Sequence, residues 1–162
     1  TKKGLDRAFA KLDIIKNQIR WWEAGAQAPE WLISGDVVMS TAYNGRIAKA
    51  NKDGHGLKML WTNNILYIDK LVIFADSEHV DTAYDYLKFF SDPKREGAFT
   101  NDYPYGQPNK DAVKYMKPEV LAALPAGDHI ADALDTGSPE SVEYWPDNSD
   151  EIFERWTAWK AR

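Results

Sequence analysis

The sequence lacks cysteine, long apolar segments and runs of basic residues. Without cysteine there is no disulfide framework, no thiolate metal site and no cysteine nucleophile. The absence of cysteine does not identify the cellular compartment of the protein. No apolar stretch approaches the roughly 18 residues that suggest a membrane span, so a membrane-spanning protein is not expected. Acidic and basic residues are interspersed and the net charge is −5. Nucleic acid is therefore not an expected partner.

Residue patterns typical of catalysis are also missing. The three histidines, His55, His79 and His129, show no metal-ligand spacing, and we expect His55 and His129 to be exposed loop residues. There is no Gly-x-Ser-x-Gly elbow, and Asp150-Glu151 suits a helix start better than a pair of hydrolytic carboxylates. The sequence thus predicts no catalytic residue, no metal ligand and no cofactor, and the chain is not expected to be an enzyme.

What the sequence does contain is enough apolar material for a core. The 162 residues are 44% hydrophobic, and 13% are aromatic, an excess that often lines ligand clefts. Helical spacing predicts helices near residues 4–17 and 80–90, and Pro29 and Gly35 delimit a short helix at 29–34. Further helices are expected near 46–51, 93–100, 112–116 and 118–124, and a last helix has Asn148 and Glu151 at its start. Apolar runs predict strands at 19–22, 37–42, 58–61 and 65–74. This alternation predicts an α/β fold, with few strands for so many helices.

The strongest predicted strand, Ile65–Phe74 (ILYIDKLVIF), has a carboxylate in its middle. Strand alternation would put Tyr67 and Asp69 on one side and Lys70 on the other. A buried carboxylate without a partner costs several kcal/mol, so Asp69 either pairs with a cationic side chain or faces a wet cleft. An aromatic ring beside a carboxylate suits an ammonium group, so a bound amine is the second alternative.

Three further residues are candidate ligand contacts. Tyr43 follows the predicted strand 37–42, at the carboxyl end where open α/β sheets bind ligands. Tyr105 lies in the irregular tract NDYPYGQPN, and aromatic residues on such loops often serve contact. Gln27, in the loop EAGAQAP, supplies a polar amide.

Four segments, in chain order, carry a resemblance to a known family. They are LISGDVVMSTAYNGRIAKA, LWTNNILYIDKLVIFADSEHVDTAYDYLKFFSDP, YPYGQPNKDA and WPDNSDEIFERWTAWK. Together they resemble the periplasmic spermidine/putrescine-binding proteins of bacterial ABC transporters, within the wider family of extracellular solute-binding proteins. The resemblance implies a type II periplasmic-binding fold, in which two α/β lobes joined by crossing strands trap the ligand in a cleft.

The same resemblance implies that the chain is the C-terminal half of such a protein, with the signal peptide upstream of Thr1. Residues 1–69 would then be an α/β segment of the second lobe. Residues 70–117 would hold a crossover strand and helices returning to the first lobe. Residues 118–162 would be C-terminal helices that pack on the second lobe.

Roles can be carried over residue by residue. Asp69 matches the family's amine-binding aspartate, and Tyr105 matches a tyrosine of the cleft. Tyr67 and Tyr43 fall where polyamine binders usually have tryptophans, one of which stacks on the methylene chain of the ligand. A late glutamine contact would fall near Trp145, where this sequence has none. The retained aspartate favours an amine-bearing solute, whereas these differences argue against spermidine itself.

The implied function is a substrate-binding component that captures a small cationic solute, a polyamine or a related amine, and delivers it to a membrane permease. The implied location is the periplasm. Two alternatives stay open at this point: a small α/β hydrolase or transferase, and a non-binding structural or interaction domain. A half without its first lobe would also expose apolar surface that favours self-association.

Overall fold

The computed structural model describes all 162 residues and divides into two compact units, Thr1–Leu57 and Lys58–Arg162. This boundary differs from the predicted one after residue 69. It reflects internal packing and does not test which lobe each segment would join, so the lobe assignment stays a prediction.

The first unit contains three helices: α1 (Lys2–Ile15), which continues as the 3-10 turn Lys16–Gln18, α2 (Gln27–Ser34) and α3 (Asn44–Lys52). The Oγ1 atom of Thr1 accepts a hydrogen bond from Gly4 N at the start of α1. At the end of α2, Gly35 adopts φ +80°, a conformation that other residues rarely take. All three helices were predicted from the sequence, and α2 and α3 pack together.

The second unit contains four helices: α4 (Val80–Phe90), α5 (Pro93–Asp102), α6 (Pro118–Leu121) and α7 (Pro139–Lys160). Two 3-10 helices, Lys110–Tyr115 and Gly127–Ile130, lie between them. The close packing of α5 on the first of these is the main helical contact of the unit. None of the helices in either unit has both the length and the apolar character needed to cross a bilayer.

The sheet consists of two short parallel strands, β1 (Ile65–Leu66) and β2 (Leu134–Asp135). Leu134 N donates to Asn64 O over 2.8 Å, and Thr136 N donates to Leu66 O over 3.1 Å. The hydroxyl of Thr136 adds a second bond to the same carbonyl over 3.0 Å. The ladder therefore fixes the chain just before Tyr67.

The strand predictions were largely wrong. The segments 19–22, 37–42 and 58–61 have no ladder, and only the first two residues of 65–74 do. Val38, predicted to be buried, is 100% exposed, and Phe74 is 80% exposed. A strand needs a neighbour for its backbone groups, and these segments have none in the chain.

The C-terminal helix also begins earlier than predicted. It begins after Ser138, whose Oγ accepts from Ser141 N, and it continues through Pro146 to Lys160. The capping pattern at Asn148 is therefore not a helix start: Asn148 Nδ2 donates to Tyr144 O inside the helix. Within this helix Trp159 is buried, whereas Phe153 is exposed.

Candidate functional site

Asp69 lies three residues beyond β1 on an exposed segment with no regular structure. Its carboxylate forms no ion pair with a lysine or arginine and no hydrogen bond with any other residue of the protein. Because the segment is not part of a ladder, the alternation that was expected to turn Lys70 away does not apply, and Lys70 is exposed as well. The first alternative from the sequence, an internal salt bridge, is therefore not what the structure shows.

Tyr67 precedes Asp69 by two residues, and its side chain is 69% exposed. It stacks on no other ring and forms no hydrogen bond through its hydroxyl. The segment thus presents a free aromatic ring and a free carboxylate close together along the chain, directly after the backbone bonds that fix Leu66. This pair is chemically suited to an ammonium group, which the ring face and the carboxylate both attract.

Tyr105 belongs to the same unit, on the loop between α5 and the 3-10 helix Lys110–Tyr115. Its ring is partly exposed, while its backbone is held: Tyr105 N donates to Tyr103 O over 2.7 Å, and Tyr105 O accepts from Thr100 Oγ1 over 3.3 Å. No hydrogen bond or ring contact joins Tyr105 to Tyr67 or Asp69. The structure therefore places the three residues in one unit without bringing their side chains into contact.

Tyr43 belongs to the first unit, where it is the residue before α3. Its ring is half exposed and meets Trp22 edge-on, with the ring centroids 6.2 Å apart. The indole Nε1 of Trp22 donates to Thr41 Oγ1 over 3.2 Å, which fixes that ring. Gly25 lies against the other side: a Cβ added there would be 3.1 Å from ring carbons of Tyr43.

Gln27 is the first residue of α2. Its Oε1 accepts hydrogen bonds from Glu23 N over 2.7 Å and from Ala24 N over 2.9 Å. The side-chain oxygen therefore shapes the turn before α2, and only the NH₂ group is left for a ligand. Gln27 follows Gly25 by two residues, and Gly25 lies against the Tyr43 ring.

Arg46 is a residue that the sequence analysis did not single out. It is exposed on the first turn of α3, and its Nε lies 3.1 Å from the position of a Cβ added to Gly25, beside the Tyr43 ring. No carboxylate of the protein pairs with it. A sequence signal was available, since Arg46 follows Tyr43 by three residues and would share its side of a helix start.

The histidines and the acidic residues point to no other site. His129 is half-buried, contrary to expectation, because its ring stacks on Trp61 at 4.4 Å and its Nδ1 contacts Leu124 O at 2.8 Å. No group of three potential ligands is arranged for a metal ion. The hydrogen bond from Lys114 Nζ to Asp111 Oδ1 raises the pKa of Lys114, but this pair is exposed and lies outside the candidate residues.

Comparison with known proteins identifies the family. The sequence model of the family described as "Bacterial extracellular solute-binding protein" matches residues 1–129. The gamma-aminobutyric acid-binding protein of Pseudomonas aeruginosa is 38% identical over 162 residues, which is 100% of this chain and 45% of that protein. The putrescine/cadaverine-binding protein of the same organism is 39% identical over 62 residues, 37% of this chain and 18% of that protein.

Solved structures show the same fold. An ABC transporter substrate-binding protein from Bradyrhizobium japonicum is 29% identical with a TM-score of 0.79, over 96% of this chain and 48% of that one. The PBP AgtB of A. tumefaciens R10, solved with agropinic acid, is 20% identical with a TM-score of 0.76, over 98% of this chain and 49% of that one. The chain thus spans about half the length of these relatives.

The comparisons confirm the α/β periplasmic-binding fold and the resemblance, although the spermidine/putrescine family was too narrow a description. The relatives are solute-binding proteins and not enzymes, which removes the hydrolase or transferase alternative. The chain belongs to the bacterial extracellular solute-binding protein family.

Proposed function

We propose that the chain is the solute-binding part of an ABC transporter, which acts in the periplasm and delivers a small amine-bearing solute to a membrane permease. The observation that carries the proposal is the exposed Asp69 carboxylate, which no cationic side chain of the protein neutralises. Tyr67, two residues before it, offers an exposed ring to the same ammonium group. The two relatives from Pseudomonas aeruginosa are named for amine-bearing solutes, which supports the same class.

The solute that we favour within this class carries a carboxylate as well as an amine. The relative matched over the whole chain is named for gamma-aminobutyric acid, which has both groups, whereas the diamine-binding relative matches only 62 residues. Gamma-aminobutyric acid and a diamine therefore differ in one carboxylate, which makes the two kinds of solute distinguishable by binding.

Calorimetry on the full natural length of the protein tests the solute class. Four ligands of similar length separate the groups: gamma-aminobutyric acid has both charges, putrescine two amines, butylamine one amine and butyrate one carboxylate. We expect gamma-aminobutyric acid to bind best and butyrate worst. Tighter binding of putrescine would support the original expectation of a polyamine and contradict our preference for a solute with a carboxylate.

The Asp69→Asn variant tests the residue that carries the proposal. Because the variant removes a charged partner of the ammonium group, we expect affinity for the amine to fall about tenfold to a hundredfold. Asp53→Asn is the matched control, since it removes an equal charge from a carboxylate already paired with Lys49 Nζ at 3.2 Å. Unchanged affinity in Asp69→Asn would show that the assigned role is wrong.

A further inference from the structure

The two most completely buried large side chains of the protein are both polar, and both lie on α5. Glu96 is 1% exposed and Thr100 is 0% exposed, and they are four residues apart on one helix face. Buried positions usually hold apolar residues, since a polar group loses water there and needs hydrogen bonds in return. The bonds that these two side chains form show what they hold in place.

Thr100 holds one end of the loop that carries Tyr105. Its Oγ1 donates a hydrogen bond to the carbonyl oxygen of Tyr105 over 3.3 Å, from a site that solvent does not reach. Together with the bond from Tyr105 N to Tyr103 O, this fixes the peptide groups on both sides of the Tyr105 Cα atom. The direction in which the ring leaves the backbone is therefore set by α5.

Glu96 holds the other end of the same loop. Its Oε2 accepts a hydrogen bond from Asn109 N over 3.2 Å. Asn109 in turn donates through Nδ2 to Ser91 O over 3.0 Å and accepts from Asp111 N over 3.0 Å, so it joins the loop to the ends of α4 and of the following 3-10 helix.

The second carboxylate oxygen of Glu96 adds an unfavourable desolvation energy to the burial of this side chain. Oε1 is buried and has no hydrogen-bond partner. A carboxylate removed from water is expensive, and an apolar side chain of similar size would fill the site at lower cost. What offsets this cost is the hydrogen bond from Asn109 N to Glu96 Oε2.

We infer that Glu96 and Thr100 are positioning residues that act through Tyr105. Their buried side chains clamp the two ends of residues 105–109, so the backbone that carries the Tyr105 side chain is already in place before a solute arrives. The segment contains a glycine and a proline and forms no regular structure, so without the clamp its ordering would reduce binding affinity. The inference rests on the proposed function and on the contact with the solute that the family resemblance implies for Tyr105.

A double-mutant cycle on the full natural length of the protein tests this inference with gamma-aminobutyric acid as the probe. Thr100→Val keeps the volume and removes the hydroxyl, and Thr100→Ser keeps the hydroxyl as the matched control. We expect Thr100→Val to raise Kd about three- to tenfold and Thr100→Ser to leave it nearly unchanged. In a Tyr105→Ala background, Thr100→Val should have no further effect. An equal loss in both backgrounds, or equal Kd values for the two Thr100 variants, would overturn the inference.

Hydrogen exchange provides a readout that needs no ligand and separates this inference from the proposed function. Glu96→Ala should speed exchange of the Asn109 amide at least tenfold, while Glu96→Gln, which keeps an acceptor oxygen, should protect it. Thr100→Val should speed exchange of the Tyr105 amide, which donates to Tyr103 O, but leave α7 unchanged. If no amine binds but these changes occur, the proposed function fails and the clamp on the loop is supported. Unchanged exchange in both Glu96→Ala and Thr100→Val would overturn the clamp.

Discussion

Gly97 shows how closely α5 approaches the 3-10 helix that follows the Tyr105 loop. A Cβ added at Gly97 would lie 2.6 Å from Tyr115 Cβ and 2.7 Å from the carbonyl oxygen of Ala112. Glycine generally destabilises a helix relative to alanine. It is needed at this position because there is no room for a Cβ atom between the two helices. The close approach buries the neighbouring Glu96 and Thr100.

Gly97→Ala tests the close approach. Although alanine has the better helix propensity, the added methyl group must displace backbone atoms, so we expect the free energy of unfolding to fall by about 1–3 kcal/mol. Thermal or urea unfolding measures the change. Gly106→Ala is the control, because a Cβ there would meet only Pro125 Cγ at 3.8 Å. A stability equal to or above that of the parent would contradict the packing described here.

The candidate residues differ in how visible they were in the sequence. Asp69 was recognisable because it is a charged residue in the middle of an apolar run. Tyr67 was recognisable because it is an aromatic residue two positions before Asp69. Arg46 was missed because arginines are common on exposed helices, and only the structure shows that it lacks an acidic partner and lies beside Tyr43. Glu96 was missed because nothing local marks a glutamate as buried; its burial depends on contacts with residues after position 108.

At the scale of elements, α7 contains two prolines in different surroundings. Pro139 occupies the first turn after the Ser138 cap, where a backbone N–H has no helical acceptor. Pro146 lies inside the helix, where it removes a hydrogen bond and crowds the preceding turn, yet the helix continues. Because Pro146 is exposed, no core packing depends on its ring.

Pro146→Ala should therefore stabilise α7. We expect a gain of about 1–3 kcal/mol in the free energy of unfolding, visible as a rise in Tm of about 2–4 °C for each kcal/mol. Pro139→Ala, at the position where proline is tolerated, should change Tm little or lower it slightly. Equal responses of the two variants would mean that Pro146 does not interrupt the helix.

The helices were more predictable than the strands for a physical reason. A helix satisfies its own backbone groups, so a local pattern such as that of α1 or α4 is enough to identify it. A strand needs backbone hydrogen bonds to a second strand, which can be distant in sequence. The run 37–42 contains β-branched residues but pairs with no other strand of this chain. The start of the terminal helix was predicted too late because Asn148 and Glu151 have capping-box spacing, although both lie inside α7.

At the scale of the whole molecule, the chain exposes many large apolar side chains. Val38 and Phe74 are the most exposed, and Met39 and Val72 follow. All four lie in apolar runs that were predicted to be strands but that form no ladder at these positions. Val38 and Met39 belong to the first unit, Val72 and Phe74 belong to the second, and exposed apolar surface promotes association.

We therefore expect the 162-residue chain on its own to self-associate. Light scattering coupled to gel filtration should show an apparent mass that rises with protein concentration above that of a monomer. Val38→Thr and Phe74→Ser should shift the distribution towards monomer while leaving the thermal transition in place, because neither side chain is packed inside the protein. A monomer at every concentration tested would contradict this expectation.

The pairing of β1 with β2 also bears on the order in which the protein folds. The bond between Leu66 and Thr136 connects residues 70 positions apart, so closing this loop costs chain entropy before any backbone bond compensates for it. The helices α4 to α6 lie within that loop and can form first from local contacts. We therefore expect the backbone around Asp69, three residues after the ladder, to be fixed late in folding. By then the intervening helices have reduced the length of flexible chain between the two strands.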